Sequence, residues 1–274
     1  MRARSILTRT SRAALTLFVC GVLMVCPAAL SAAADSPTPL AKKVVQAWQE
    51  AGAGVGWMGE NKAGYLLFRG EPAGLSDPLP AFQFRAWKDG VVAKLPDPGA
   101  PSALDLSRAK VTDAAVKELA QHKSLQSLNL GSTQVTDAGL KSLSGLTGLR
   151  VLHLYRTQVG DAGLKELAGL KNLQSLSLHG TKVTNAGLKQ LAGLKKLQKL
   201  VLGSTQVTAA GLKELAGLPK LRSLYLAGTP VTDAGLRELA GLKSLRSLNL
   251  SRTKVTDAGV ERLQKALPEC AVSR

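Results

Sequence analysis

A chain of 274 residues has room for one large or two modest domains, and three cysteines are too few to staple it as a disulfide scaffold. It is 45% apolar but only 4% aromatic, with 20% charged residues and a slightly positive mean hydropathy, which excludes a disordered chain and predicts a core of Leu, Val and Ala in regular layers. The formal charge of +17 is the one extreme quantity, and its meaning depends on where it sits.

Arg2, Arg4, Arg9 and Arg12 precede an apolar run at 13–30, and small residues follow at 31–34. Basic, apolar and small segments in that order are the layout of a secretory signal peptide, with cleavage expected after Ala32, Ala33 or Ala34. The competing reading is a retained anchor, because the run approaches the ~17–25 residues of a membrane span. Pro27 and the small residues favour cleavage. Residues 1–34 are therefore assigned as a signal peptide, and the mature chain as exported to the periplasm, cell envelope or exterior. Membrane contact would come only through an uncleaved signal. Cleavage would leave Cys270 as the one cysteine.

Residues 35–100 form a separate capping region by composition. They hold Trp48, Trp57 and Trp87 together with Phe68, Phe82 and Phe84. The run LAKKVVQAWQEAG from Leu40 predicts an amphipathic helix with Leu40, Val44, Ala47 and Trp48 on one face, closed by Gly52. Strands are expected at 65–69, 82–87 and 91–95. The segment GVGWMGE with the aromatic cluster could line a ligand pocket; the stronger reading is that the aromatics form the core of a cap.

Residues 101–274 repeat. Blocks beginning at Leu125, Leu149, Leu173, Leu197, Leu221 and Leu245 follow one another every 24 residues, and a degenerate first copy begins at Pro101, making seven. In each LxxLxL stretch the fourth and sixth positions alternate, as in a short strand with one face inward. DAGLKELAGL spaces its apolar residues by three and four, the mark of a short helix. Thr136, Thr184, Thr208, Thr232 and Thr256 stand where an N-cap belongs, mostly followed by Asp. Glycines at 139, 163, 187, 211, 235 and 259 recur in the first helical turn at some cost in propensity, so the backbone there must pack too closely for a Cβ. Thr at the ninth position (Thr133, Thr157, Thr181, Thr205, Thr229, Thr253) is expected to form a hydroxyl ladder across neighbouring turns. One strand and one short helix per copy build a right-handed solenoid with strands concave and helices convex. LPECAVSR closes it with a last half-strand through Cys270 and Val272.

The pattern LxxLxLxxTxVTDAGLxxLAxL, carried from 101 to about 270, resembles the leucine-rich repeat family in its short bacterial form. It is similar in particular to exported repeat proteins of planctomycete bacteria, and through them to the repeats of ubiquitin-ligase adaptors and ribonuclease inhibitor. The resemblance implies an α/β leucine-rich-repeat solenoid behind a small α+β cap. It also implies a binding arc without catalytic activity. No adaptor-docking box precedes the repeats, so a ubiquitin-ligase role is not implied.

Chemistry-bearing motifs are few. His122, His153 and His179 are the only histidines. His153 and His179 fall on adjacent concave strands near Tyr155, but no Cys, Asp or Glu sits at concave positions there, so they read as exposed polar side chains and no metal or cofactor is expected. Most outward strand positions carry Ser, Gly or Asn. The departures are Arg150, His153, Tyr155, Arg156 and His179, assigned as the main partner-binding patch, with Tyr225 as a second anchor.

Charge divides by region: residues 35–100 balance at seven of each sign, whereas residues 101–274 carry 25 Lys and Arg against 12 Asp and Glu. Much of the surplus stripes the convex helices at Lys117, Lys141, Lys165, Lys189 and Lys213. The expected partner is a protein, with acidic ones favoured by the surplus, and an anionic envelope polymer or lipid is the alternative. Nucleic acid is disfavoured, since stacking platforms are missing.

Overall fold

Helix α1 (Lys42–Glu50) buries Val44 and Trp48 and ends at Gly52, whose φ of +94° suits a residue without a Cβ. The computed structural model to which it belongs describes residues 39–61 and 65–274; the signal-peptide assignment lies outside them. Three strands follow: β1 (Gly54–Glu60), β2 (Leu66–Arg69) and β3 (Ser76–Gln83), with β1 antiparallel to both others.

Two local expectations are corrected here. The strand expected at 82–87 begins earlier, at Ser76, and runs through Pro78 and Pro80. Both prolines lie where β3 pairs only with β1, so no ladder bond on the other side is lost. The strand expected at 91–95 is a single 3-10 turn at Val92–Lys94. Glu118 takes the turn's backbone N–H groups, accepting from Gly90 at 2.6 Å and Ala93 at 3.2 Å, while Gln121 donates to the carbonyls of Val92 and Ala93. A strand there would leave those groups to a neighbour that is not present in the sheet.

The repeats then alternate in the expected order: β4 (Ser102–Asp105), α2 (Asp113–Glu118), β5 (Leu125–Asn129), α3 (Asp137–Leu143), β6 (Val151–His153), α4 (Asp161–Glu166), β7 (Ser175–Ser177), α5 (Asn185–Leu191), β8 (Lys199–Val201), α6 (Ala209–Leu212), β9 (Ser223–Tyr225), α7 (Asp233–Leu239), β10 (Ser247–Asn249), α8 (Asp257–Ala266) and β11 (Ala271–Ser273). They form one sheet ordered β11-β10-β9-β8-β7-β6-β5-β4-β3-β1-β2, parallel from β3 to β11. Each helix packs against the next, so the fold is the parallel concave sheet with short convex helices that the period demands.

Inward leucines such as Leu128, Leu130, Leu152, Leu154, Leu176 and Leu178 are fully buried, and one continuous apolar cluster runs from Val44 to Cys270. Trp48 stacks on Phe82 at 4.3 Å between ring centres and meets Phe84 and His122, so Trp48, Phe82 and Phe84 belong to that same core, while Phe68 packs in a separate cluster with Met58.

The ninth-position threonines do not bond across turns. Thr133, Thr157, Thr181, Thr205, Thr229 and Thr253 each donate to the carbonyl three residues earlier, at 2.6–2.7 Å, within their own copy. The hydroxyl satisfies a carbonyl at the strand-to-helix turn, and most of these side chains are buried, so no group of the next copy is needed.

What does cross between copies is the acidic residue at the first position of most of the helices. Asp113 accepts from both the backbone N–H (2.8 Å) and the hydroxyl (2.6 Å) of Thr136, and Asp161 and Asp233 do the same for Thr184 and Thr256. The bonds from Thr256 hold the Asp233 carboxyl below the usual carboxylate range. These side chains lie across the first-turn glycine of the following helix. A Cβ on Gly139, Gly163, Gly187 or Gly259 would fall on the Oδ1 of Asp113, Asp137, Asp161 or Asp233. At these four positions a neighbouring carboxylate excludes the Cβ; at Gly211 the Asn185 amide oxygen does so, and Gly235 meets only the Leu212, Ala209 and Val231 carbons at 3.0–3.1 Å. The first copy, with no copy before it, has Ala115 at that position.

Candidate functional site

Seven strand segments, β4 to β10, present their third, fifth and seventh positions on the concave side, so the same three columns recur in every copy. The eighth position, three residues past each strand, lies in the left-handed region. Arg108, Ser132, Arg156, Ser204 and Arg252 have φ between 53° and 63°, and Gly180 and Gly228 have 65° and 70°. Five side chains thus accept a conformation that L-residues disfavour by about 1–2 kcal/mol each. This column was not read from the sequence, because Ser and Arg are not left-handed formers; glycine at two of the seven positions was the only signal.

The assigned patch is partly assembled and partly covered. Arg150 and Arg156 are exposed, and Tyr155, His179 and Tyr225 are half-buried. Tyr155 lays its ring across Gly131 of the preceding copy, where a Cβ would strike the ring. His179 leans the opposite way, so that a Cβ on Gly203 of the following copy would stand 2.8 Å from its Nδ1. Gly180 leaves room for the Arg156 side chain, whose Cγ passes 3.4 Å from the place a Cβ would take. Burial first, and then the Arg156 charge, hold the His179 imidazole below its ordinary pKa. Tyr225 lies further along the array and receives the Lys199 ammonium 5.8 Å from its ring centre.

His153 corrects the sequence reading. It was expected to be exposed, yet only 8% of its surface is, and its Nε2 has no hydrogen-bond partner among the described residues. Burial, reinforced by the Lys199 charge, lowers its pKa to about 3, so it is neutral at ordinary pH. Groups from outside the repeats reach the same face. Met58 of β1 packs against Ala81 of β3 and Ala103 of β4, with Leu66, Phe68 and Leu79 around them. Glu60, at the end of β1, reaches β7 and β8, accepting from Ser175 Oγ at 3.2 Å and pairing with Lys199 Nζ at 3.0 Å. A carboxylate therefore does stand over this part of the concave face, supplied by a residue 115 positions before its Ser partner. No repeat-based reading could have found it.

No group of His, Cys, Asp and Glu able to hold a metal ion occurs among the described residues, and no described helix is long and apolar enough to cross a membrane. GVGWMGE, read as a possible pocket, is the strand β1. A shallow cleft of about 590 Å³ lies beside it, lined by Gly52, Gly54, Phe68, Arg85, Trp87 and Lys88 among others.

Comparison with known proteins agrees with this geometry. The leucine-rich repeat region family matches residues 106–273. Among solved structures, internalin C2 of Listeria monocytogenes is similar at 30% identity with a TM-score of 0.51, over 62% of this chain and 70% of its own. A leucine-rich repeat protein of Leptospira interrogans gives 25% identity and 0.48 over 63% of this chain, and an internalin (inlF) of L. monocytogenes gives 26% and 0.47 over 62%. This chain spans about half the length of those last two, 54% and 52% respectively. A search of curated proteins returned no significant match. With the family matched across most of the chain and its strand-and-helix period realised copy by copy, the protein belongs to the leucine-rich repeat family.

Proposed function

We propose that the chain is an exported, non-catalytic binding protein that takes a protein partner on its concave sheet. In this reading residues 1–34 are a signal peptide, 35–100 a cap and 101–274 the repeat domain. The continuity of the apolar cluster from Trp48 into the first copies supports a capping role. The observation that carries the binding reading is relief. On a sheet of mostly small side chains, Tyr155, Arg156 and His179 stand up beside exposed Arg150, and Tyr225 stands further along with exposed Arg222 nearby. Repeat packing does not require these groups, and Tyr and Arg are the residues enriched in binding hot spots. His153 is buried and adds little exposed surface to this patch.

A second reading has its own observation. The surplus of basic over acidic residues in 101–274 favours attachment to an anionic envelope glycan or lipid through the basic surface. Capture from a native envelope extract at rising ionic strength separates the two. Charge-driven attachment collapses between about 50 and about 500 mM salt, while a packed protein interface largely persists. The variant Tyr155→Ala/Arg156→Ala is expected to weaken salt-resistant capture about tenfold or more, with its melting temperature almost unchanged. Undiminished capture by the double variant would remove the concave patch as the binding surface.

A further inference from the structure

Charge in the repeats sorts by position within the copy. The helical positions thirteen to eighteen hold seven Lys and Arg against ten Asp and Glu across the seven copies. The convex lysine stripe, expected to carry much of the surplus, is therefore more than balanced by its own neighbours. The excess lies where each helix ends and the next strand begins. Within the seven copies, positions nineteen to twenty-four and one to two hold ten Lys and Arg and no Asp or Glu. Carboxylates meet this edge at its two ends. Asp97 of the cap accepts from the Ser124 N–H at 3.2 Å, and Glu269, past the last copy, pairs with Arg246 at 2.9 Å.

Part of this charge is used by the fold. Lys123, Lys171, Lys195 and Lys243 donate to the carbonyls of Gly145, Gly193, Gly217 and Ala266, at or just past the helix ends of the following copies, at 2.8–3.5 Å. Cations belong at helix C-termini, where carbonyls lack partners, so packing accounts for those four. It does not account for Arg150, Lys220 and Arg222, whose exposed side chains bond none of the described residues. Nor does it account for exposed Lys196, which donates to the Asn172 amide oxygen at 2.7 Å. From Arg150 to Arg246 eight cations share one edge over the four strand spacings from β6 to β10, about 20 Å along the sheet. That is roughly one per 3 Å, inside the ~8 Å Debye length at physiological ionic strength, so their fields add.

The edge also lacks what other anionic partners would use. These segments contain no Phe, Trp or Tyr, and the one exposed large apolar side chain among the described residues, Tyr65, lies in the cap. There is no ring on which a sugar could stack and no wedge to enter a hydrocarbon layer. Seven of the ten cations are lysines, compact charges without the fork that arginine offers to a single phosphate or carboxylate. A row of point charges along one flank suits a partner whose charge is spread over a surface.

We propose that this edge, formed by the helix ends and strand starts of the third to seventh copies, docks on an anionic lipid bilayer at headgroup level. The proposal rests on the second reading above and gives it a place and an occupant. Docked in this way, the chain keeps its concave sheet open. Tyr155 and Arg156, past the other end of β6, stay available to a protein partner.

Acetylation of lysines in the full chain, read residue by residue by mass spectrometry, gives the footprint. On vesicles of phosphatidylcholine and phosphatidylglycerol in equal parts, Lys196 and Lys220 should label about fivefold or more slowly than in solution, while Lys141, Lys189 and Lys213 on the convex helices keep their rates. Vesicles of phosphatidylcholine alone should protect neither set, which separates this contact from any made by the apolar run at 13–30. Lys196→Gln/Lys220→Gln/Arg222→Gln should weaken the phosphatidylglycerol-dependent part of binding about tenfold or more, with its melting temperature nearly unchanged. Lys141→Gln/Lys189→Gln/Lys213→Gln removes the same charge and should not weaken it. Equal losses in the two variants, or protection spread over both lysine sets, would overturn the edge and leave attachment by net charge standing. Protection of Lys196 and Lys220 by soluble polygalacturonate and not by the vesicles would overturn the bilayer as occupant in favour of an acidic glycan. Protection by neither would remove the second reading as well.

Discussion

Gly187 shows how far a single position is determined by its neighbour. Its recurrence in the first helical turn signalled a close approach, and that inference was correct in kind. What approaches is the Asp161 side chain, bonded to Thr184. Gly187→Ala is expected to push that carboxylate off its two donors and to cost about 1–3 kcal/mol, as overpacking does. Gly241 is the control. A Cβ there meets nothing within 4 Å and its φ is not positive, so Gly241→Ala should be neutral or stabilise by up to about 1 kcal/mol. Urea denaturation of both variants checks this; equal effects would show that the carboxylate yields freely. Patch residues were legible as departures from a monotonous column. The burial of His153 was not, because nothing in its own copy causes it.

Between elements, the bonds to the next capping residue form a chain, carried at the fourth copy by Asn185, which accepts from the Thr208 N–H at 2.9 Å and donates to its hydroxyl at 2.8 Å, and broken or weakened at two others. At the third copy Gly160 replaces the capping Thr, so Asp137 receives only a backbone N–H, at 2.7 Å. At the fifth copy Ala209 replaces the acid, so Thr232 receives no such bond. There α6 is also reduced to four residues followed by a 3-10 turn at Lys213–Gly217. Both can be repaired. A Cβ on Gly160 would lie 3.6 Å from Asp137 Oδ2, ordinary contact distance, and Gly160 already has extended backbone like the threonines it replaces. Gly160→Thr and Ala209→Asp should each stabilise by about 0.5–1.5 kcal/mol, the net worth of a hydrogen bond. Thermal melts check this, and no gain in either variant would mean that the helix stack, not the bonds, holds neighbouring copies together. The seven strands and seven helices were readable because their period is local; the strand at 76–83 and the turn at 92–94 depend on partners supplied by β1 and Glu118.

For the molecule as a whole, pH is the variable most tied to burial. His122, His153 and His179 all have pKa values lowered in the folded chain, His153 to about 3, chiefly by burial. Unfolded, each takes up a proton near 6.5. Below that pH the unfolded chain binds more protons than the folded one, so stability falls as pH drops from about 6.5, and the His153 contribution continues to fall toward about 3. His153→Gln should flatten the dependence of the melting temperature between about pH 6.5 and 4. An unchanged slope would show that His153 is reached by solvent in the folded protein.

Period, composition and the apolar positions of each copy were enough to specify a layered solenoid, because each copy's strand and helix are set by residues within 24 positions of one another and by the need to bury the same leucines. The long-range contacts were not specified in this way. Glu60 meets Ser175 and Lys199 only because β1, from outside the repeats, ends beside β7 and β8. A repeat spells out its own packing in every copy. What lies on top of it is a contact between distant segments, whose partners have no fixed spacing and no periodic pattern to betray them.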